Sequence, residues 1–301
     1  MKYPTPDRLR TALEDRLRQR ARATDLPIVR LRKDVVFDRL LARLLVVAPD
    51  RWILKGGLAL DYRLGNRART TKDMDLGRQD DATASAADLM AAAGLDLGDF
   101  FRYTIEQTDA LAGLEDAAAV RYRVRAELAG RVFEHVVVDV GFDVPQPYIA
   151  DLVRGRGLLS FAGLEAPVVP TIPLTYHVAE KVHAYTRHYG TDGRTSTRVK
   201  DLIDLVLISA ENTNTPTAGA LRVALDQTFA RRTAQTLPAA LPAPPIAWTL
   251  PYRKIAQEVG LVGEIMAGYA DASAFLNPVL DRSCAIDAIW QPNIGRWTAT
   301  S

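Results

Sequence analysis

The sequence predicts an α/β domain with a mixed sheet, followed by a helical half. Three observations predict it. Helical spacing in the first fifty residues gives way to short apolar runs punctuated by glycine. Between residues 101 and 140 the apolar period drops to two. Beyond about residue 160 strand patterns fade and helical ones return. The boundary is therefore placed near residue 160, dividing residues 1–160 from a helical domain over 161–301.

The elements follow in order. Leu9, Leu13 and Leu17 recur at four-residue spacing with arginines between, which predicts a helix over 6–23 with a narrow apolar stripe. Val35, Phe37, Leu40, Leu41 and Leu44 predict a second helix over 27–47. Trp52-Ile53-Leu54 reads as a short strand ending at the turn Gly56-Gly57, and Leu58 to Leu64 as a short helix. Asp73 to Leu76 is the next strand, and the alanine-rich run 83–93 is a helix stopped by Gly94. Phe101 to Gln107 and Ala119 to Leu128 alternate as half-buried strands do, whereas Phe133 to Val140 is the nearly continuous apolar run of a buried strand. Helices are predicted over 173–189, 198–210, 217–231, 252–268 and 271–288. Five prolines between Leu237 and Pro251 make that segment an extended arm.

Composition narrows the class. Of the 301 residues 48% are hydrophobic and 25% charged, with a formal charge of +2, which is ordinary globular usage. A single cysteine, Cys284, excludes an internal disulfide and suits a reducing compartment. No apolar run approaches the roughly 20 residues of a membrane span. The arginine-rich N-terminus lacks the apolar core of a signal peptide. A soluble cytoplasmic protein with no membrane association is expected.

The chemistry centres on Lys55-Gly56-Gly57-Leu58-Ala59-Leu60 and, further on, Arg69-Thr70-Thr71-Lys72-Asp73-Met74-Asp75. Residues i and i+2 of a strand project from one face, so Asp73 and Asp75 point together. Like charges that close call for a cation, and Mg2+ (or Mn2+) carrying a nucleoside triphosphate is the natural one. Gly56 and Gly57 let backbone amides at a helix start approach a triphosphate. Arg69 and Lys72 beside them are candidates for neutralising phosphate charge, and Arg67 is either that or an exposed loop arginine. The Walker-type phosphate loop is absent. Asp139 is the one acid in the apolar run His135 to Val140, where burial demands a partner, and is expected to be the third metal ligand. Asp143 follows Gly141 on a loop and is the weaker candidate. The histidines lack the spacing of a zinc site.

Together these strings resemble the AbiEii/AbiGii toxin family, which includes the MenT-type toxins. The resemblance implies a polymerase-β-like nucleotidyltransferase sheet, with the helical half completing the active-site cleft. Lys181, in Ala179-Glu180-Lys181-Val182-His183, resembles the family's active-site lysine. Asp201-Leu202-Ile203-Asp204-Leu205 resembles its late acidic motif, with the functional role carried to Asp204. Gly57 stands where broader polymerase-β-like enzymes carry serine, so backbone amides must replace a hydroxyl. The resemblance further implies transfer of nucleotides to RNA, with the 3′ end of tRNA as acceptor, translation as the process blocked and a cognate antitoxin as partner.

The helical half has its own signals. His177, Lys181, Ala184 and His188 share one helix face, which suits either a wall facing phosphates or a solvated face. Asp204, amid apolar residues, wants a cation, and Lys181 is its expected partner. Arg121, Arg123 and Arg125 alternate on one strand and either grip an RNA backbone or guard a sheet edge. Arg8, Arg10, Arg16, Arg18, Arg20, Arg22, Arg30, Arg32 and Lys33 of the two N-terminal helices are read as a solvated face, with a nucleic-acid or partner surface as the second reading. Phosphorylation of Thr71 or Thr70 would place negative charge beside the carboxylates and repel the triphosphate. Two rival functions remain: nucleotidylation of a protein or aminoglycoside-like small molecule, and a non-catalytic nucleotide-binding module.

Overall fold

Thr5 starts the first helix. Its backbone is extended, its hydroxyl accepts the Arg8 amide and Pro6 fills the first turn, where no amide partner is needed. This helix, α1 (Pro6–Thr24), buries Leu9, Leu13 and Leu17, the predicted stripe. The computed structural model describes residues 2–108, 119–144, 149–189, 194–195, 198–212, 215–232 and 235–299. It divides into two units, Met1–Gly65 with Thr70–Ile172 and Asn66–Arg69 with Pro173–Ser301.

In the first unit, α2 (Ile28–Val47) is buried on nearly all sides. Arg30, expected on a solvated face, is instead buried against Asp61, and further polar residues of this helix are buried too. Arg43, fully buried, grips both oxygens of Asp99 at 2.8 and 2.6 Å, and Arg39 Nε adds a third bond at 2.7 Å. Asp38 accepts the Tyr62 hydroxyl at 2.6 Å and the amides of Arg156 and Gly157 at 3.1 and 2.8 Å. Each buried charge is thus met by an opposite charge or by several donors, the condition for tolerating it.

The strands β1 (Ile53–Lys55), β2 (Asp73–Gly77), β3 (Phe101–Gln107), β4 (Ala119–Leu128), β5 (Arg131–Gly141), β6 (Asp151–Arg154) and β7 (Val168–Thr171) form one seven-stranded sheet in the order β3-β4-β5-β2-β1-β7-β6. It is mixed, with β2–β5 and β1–β7 parallel and the other pairs antiparallel. On β4 the even-numbered Val120, Tyr122, Val124, Ala126 and Leu128 are buried in the core beside α2 residues, and the odd-numbered residues are turned the other way. The helices α3 (Gly56–Leu64) and α4 (Ala82–Gly94) complete the unit. β6 and β7 carry no clear alternation, so the strand signal fades in the sequence before the sheet ends. The boundary expected near residue 160 falls inside the first unit, which runs on to Ile172.

The second unit is built from α5 (Leu174–Thr186), α6 (Val199–Ser209), α7 (Ala218–Arg231), α8 (Thr249–Glu258) and α9 (Ile265–Leu280). Two short ribbons add to the helices expected there, β8 (His188–Tyr189) with β9 (Arg194–Thr195) and β10 (Ile289–Gln291) with β11 (Arg296–Thr298). Two predicted helices shift towards the N-terminus. Gly260, at φ 72°, stops α8 before residue 268, and α9 ends at Leu280, leaving Cys284 beyond it with its thiol on the Pro278 carbonyl. The proline-rich arm is pinned where Tyr185 and Tyr269 donate to the carbonyls of Pro242 and Leu241. Among the described residues no helix is long and apolar enough to cross a membrane.

Candidate active site

β2 places the acid pair. Met74 and Leu76 enter the core, so Asp73 and Asp75 share the opposite face, half-buried. Across the parallel neighbour β5, Asp75 stands in register with Asp139 and Asp73 with Val137. Paired residues of adjacent strands project to the same side about 4.8 Å apart. The three predicted carboxylates therefore share one face of one sheet.

The Gly-Gly turn closes against this pair. Lys55 is extended and ends β1 opposite Asp75, and Gly56 opens α3 at φ 61°. A Cβ on Gly56 would lie 1.7 Å from Asp75 Oδ2, so the carboxylate rests on the bare glycine backbone. Gly57 follows, buried in the first turn of this nine-residue helix. The chain before β2 is tied down as well. Thr71 donates to the Asp73 carbonyl at 3.2 Å, Lys33 Nζ reaches the Lys72 carbonyl at 3.2 Å, and Thr70 accepts from Arg30 at 3.4 Å. The Lys72 side chain is exposed.

Asp139 departs from expectation. Its oxygens are taken one each by Arg121 Nε and Nη2, both at 2.7 Å. The hydrogen bond to Asp139 raises the affinity of the guanidinium for its proton above the ordinary value, burial opposes this, and the charges of Asp139, Asp73 and Asp75 reinforce it. Among the described residues no three His, Cys, Asp or Glu side chains are gathered closely enough to hold a metal ion. Asp73 and Asp75, hard oxygen donors beside an open glycine backbone, fit a hard divalent ion, whereas Asp139 as placed is the partner of an arginine. The arginine row does share a face, but β4 is paired on both sides, with β3 and β5, so it guards no edge.

In the second unit, Asp204 on α6 receives Arg69 Nε and Nη2 at 2.8 and 2.9 Å and Lys181 Nζ of α5 at 2.7 Å. Lys181 also reaches Asp201 at 3.0 Å, and Arg198 binds the far oxygen of Asp201. Burial opposes ionisation of Asp204, but Lys181 and Arg69 outweigh it and hold its carboxyl below the usual range. Burial likewise opposes the charge of Lys181, and Asp204 and Asp201 restore it and raise its pKa. The predicted Lys181–Asp204 partnership is present, with Asp201, Arg198 and Arg69 added to it. The predicted histidine row is not a solvated wall, since His177 and Lys181 are both buried. The His188 side chain lies outside the described residues. Arg67 is exposed and paired with Glu211.

A family model described as nucleotidyl transferase AbiEii toxin, type IV TA system, matches residues 39–271. The chain belongs to this family. The match begins within α2 and ends within α9, so it takes in the AbiEii acid pair, the glycine turn and the Lys181–Asp204 set. Among solved structures, MenT4, a nucleotidyltransferase toxin of Mycobacterium tuberculosis H37Rv, is 19% identical, with a TM-score of 0.51 over 95% of this chain and 99% of that one. JHP933 from Helicobacter pylori is 14% identical, with a TM-score of 0.46 over 83% of this chain and 94% of that one. No curated protein matches. The likeness to MenT4 bears on the fold, which is that of a nucleotidyltransferase toxin. Three residues of this AbiEii chain escape a reading by motif: Arg121, Asp201 and Arg198. Asp201 opens the motif that yielded Asp204, and one helical turn separates the two acids, the only signal that it too would reach Lys181.

Proposed function

We propose that this member of a type IV toxin–antitoxin nucleotidyltransferase family transfers nucleotides from a nucleoside triphosphate to the 3′ acceptor end of tRNA. The observation that carries the reading is the Asp73–Asp75 pair on one face of β2, with Asp75 lying against the bare backbone of Gly56 at a helix start. Asp73 and Asp75 hold Mg2+ (or Mn2+), with Asp139 as a further ligand. The ion, when bound, supplies positive charge to the reacting phosphate and lowers the cost of charge on the leaving pyrophosphate. Gly56 and Gly57 admit the triphosphate to the backbone amides, and Lys72 offers it a cation. In the second unit Asp204 fixes Arg69 and Lys181, the catalytic lysine of this reading. Positioning and charge carry most of such a reaction.

Capping the acceptor end would block translation, a cognate antitoxin would neutralise the activity, and the cytoplasm is where tRNA would be met. A phosphate on Thr71 or Thr70 would add about −1.5 to −2 charges next to Asp73 and silence the enzyme. Thr71→Asp is therefore expected to lose transfer, and full activity would exclude that mode of control.

The deciding experiment incubates the protein with each of four labelled triphosphates, with a tRNA pool or with total protein, with Mg2+ or with EDTA. Label on tRNA 3′ ends that vanishes with EDTA and in Asp73→Ala is expected. Label on protein would move the acceptor to a side chain. Toxicity undiminished in Asp73→Ala would point to a non-catalytic module.

A further inference from the structure

Asp139 stands between two neighbours that want opposite things from it. On one side is Asp75, in register across β5 and β2 and facing the same way. On the other is Arg121, directly opposite across β4 and β5, with both forks of its guanidinium on the carboxylate. A bidentate fork at 2.7 Å on each oxygen uses the carboxylate's best acceptor directions. The charges of Asp73 and Asp75 also reach Arg121. One guanidinium thus answers three carboxylates.

The pair is not built like the structural ion pairs of the same unit. Arg43 and Asp99 are both 0% exposed, and separating them would strand a charge. The Arg121 side chain is 39% exposed and that of Asp139 18%, so water can take up either partner when they part. Parting this pair therefore leaves neither charge in a dry site, and it costs far less than parting Arg43 from Asp99.

We propose that Arg121 gates the metal site by competing with the divalent cation for Asp139. The ion binds first through Asp73 and Asp75 and gains its third carboxylate only when Arg121 releases it. Arg121 is then a positioning residue, and once released its guanidinium stands two strands from β2, able to face an anionic group carried by the ion. This inference rests on reading Asp73 and Asp75 as metal ligands.

The test measures binding of Mn2+ alone to the full chain, by the paramagnetic resonance of the unbound ion, with thermal melting followed in parallel. Arg121→Met is expected to bind Mn2+ about fivefold more tightly, the gain from removing a pair worth ~1 kcal/mol. Arg121→Lys, which keeps the charge and loses the fork, is expected to gain about twofold. In the Asp139→Asn background Arg121→Met should gain clearly less than in the wild type, only the part owed to its charge near Asp73 and Asp75, and an equal gain in both backgrounds overturns the competition for Asp139. Unchanged or weaker Mn2+ binding in folded Arg121→Met overturns the gate, and should that variant not fold, unchanged binding in Arg121→Lys does so. Loss of Mn2+ binding in Asp73→Ala together with no effect at Arg121 would sink the gate and leave the acid-pair reading standing. Mn2+ binding indifferent to Asp73 would sink both.

Discussion

Asp75 and Gly56 occupy each other's space: the carboxylate Oδ2 lies 1.7 Å from where a glycine Cβ would be. Gly56 also sits at φ 61°, where side chains are strained. Gly56→Ala should therefore displace Asp75 while costing only about 1–2 kcal/mol of stability. Nucleotide transfer is expected to fall by roughly 100-fold, the usual consequence of moving a reacting group by an ångström. Transfer assays beside thermal melts check it, and wild-type activity in a folded Gly56→Ala would show that the contact is irrelevant.

Asp34, with its side chain 3% exposed, has its carboxyl pushed up to about 7, first by burial and then by the charge of Asp61, against the pull of Arg156 and Arg30. At pH below 3.8 the carboxyl is protonated folded or unfolded. Between 3.8 and about 7 only the unfolded chain is ionised, so stability declines as pH rises through that window and then levels off. Asp34→Asn should remove this slope. Its stability relative to wild type should grow by a few kcal/mol between pH 4 and pH 7, on the order of three pKa units. Urea unfolding at both pH values measures the difference, and parallel curves would refute the assignment.

Asp204 behaves in the opposite sense. Its carboxyl is held below the ordinary value, so its contribution is present above about pH 4 and is lost as pH falls through the folded-state pKa. Asp204→Asn takes from Arg69 and the buried Lys181 their shared anion, leaves Lys181 with Asp201 alone, and should cost roughly 2–4 kcal/mol. Lys181→Met removes one cation and leaves Asp204 with Arg69, so it should cost less stability while abolishing transfer. Melting and transfer measured on both variants separate the two roles.

Arg43 tests the scaffold alone. Arg43→Ala strands Asp99 with Arg39 and the Phe101 amide, in a site with no access to water. A loss of about 3–5 kcal/mol is expected. Removing the anion and its second cation as well, in Arg43→Met with Asp99→Leu and Arg39→Met, should recover much of it, and a triple variant as unstable as the single one would contradict the argument.

The acid pair was legible because it needs only local facts, a strand with period two and a glycine turn before it. Asp139 was legible as an acid wanting a partner, but Arg121 as its neighbour was not, for a geometric reason. The hairpin between β4 and β5 turns at Ala129 and Gly130, both at positive φ. Counting back from Leu128 opposite Arg131 would set Arg121 across from Val138. A bulge between Ala126 and Glu127 shifts the register by one and brings Asp139 there instead. Nothing in the sequence announces that bulge. Arg30 of α2 was misread for a similar reason, since it looks solvated until Asp61 is seen to be folded against it, and nothing in the sequence announces that Asp99 gathers Arg39 and Arg43. Lys181 and Asp204 were found through resemblance, and their burial and the reach of Arg69 needed coordinates.

The parallel pairing of β2 with β5 also has a consequence in time. Asp75 is synthesised long before Asp139, and the hairpin that delivers Asp139 to β2 is complete only once residue 141 has been made. Domains fold as their last strands emerge during synthesis. A ribosome that stalls or is cut short before that point releases fragments lacking a strand that flanks β2, and such fragments would be harmless to the cell that made them.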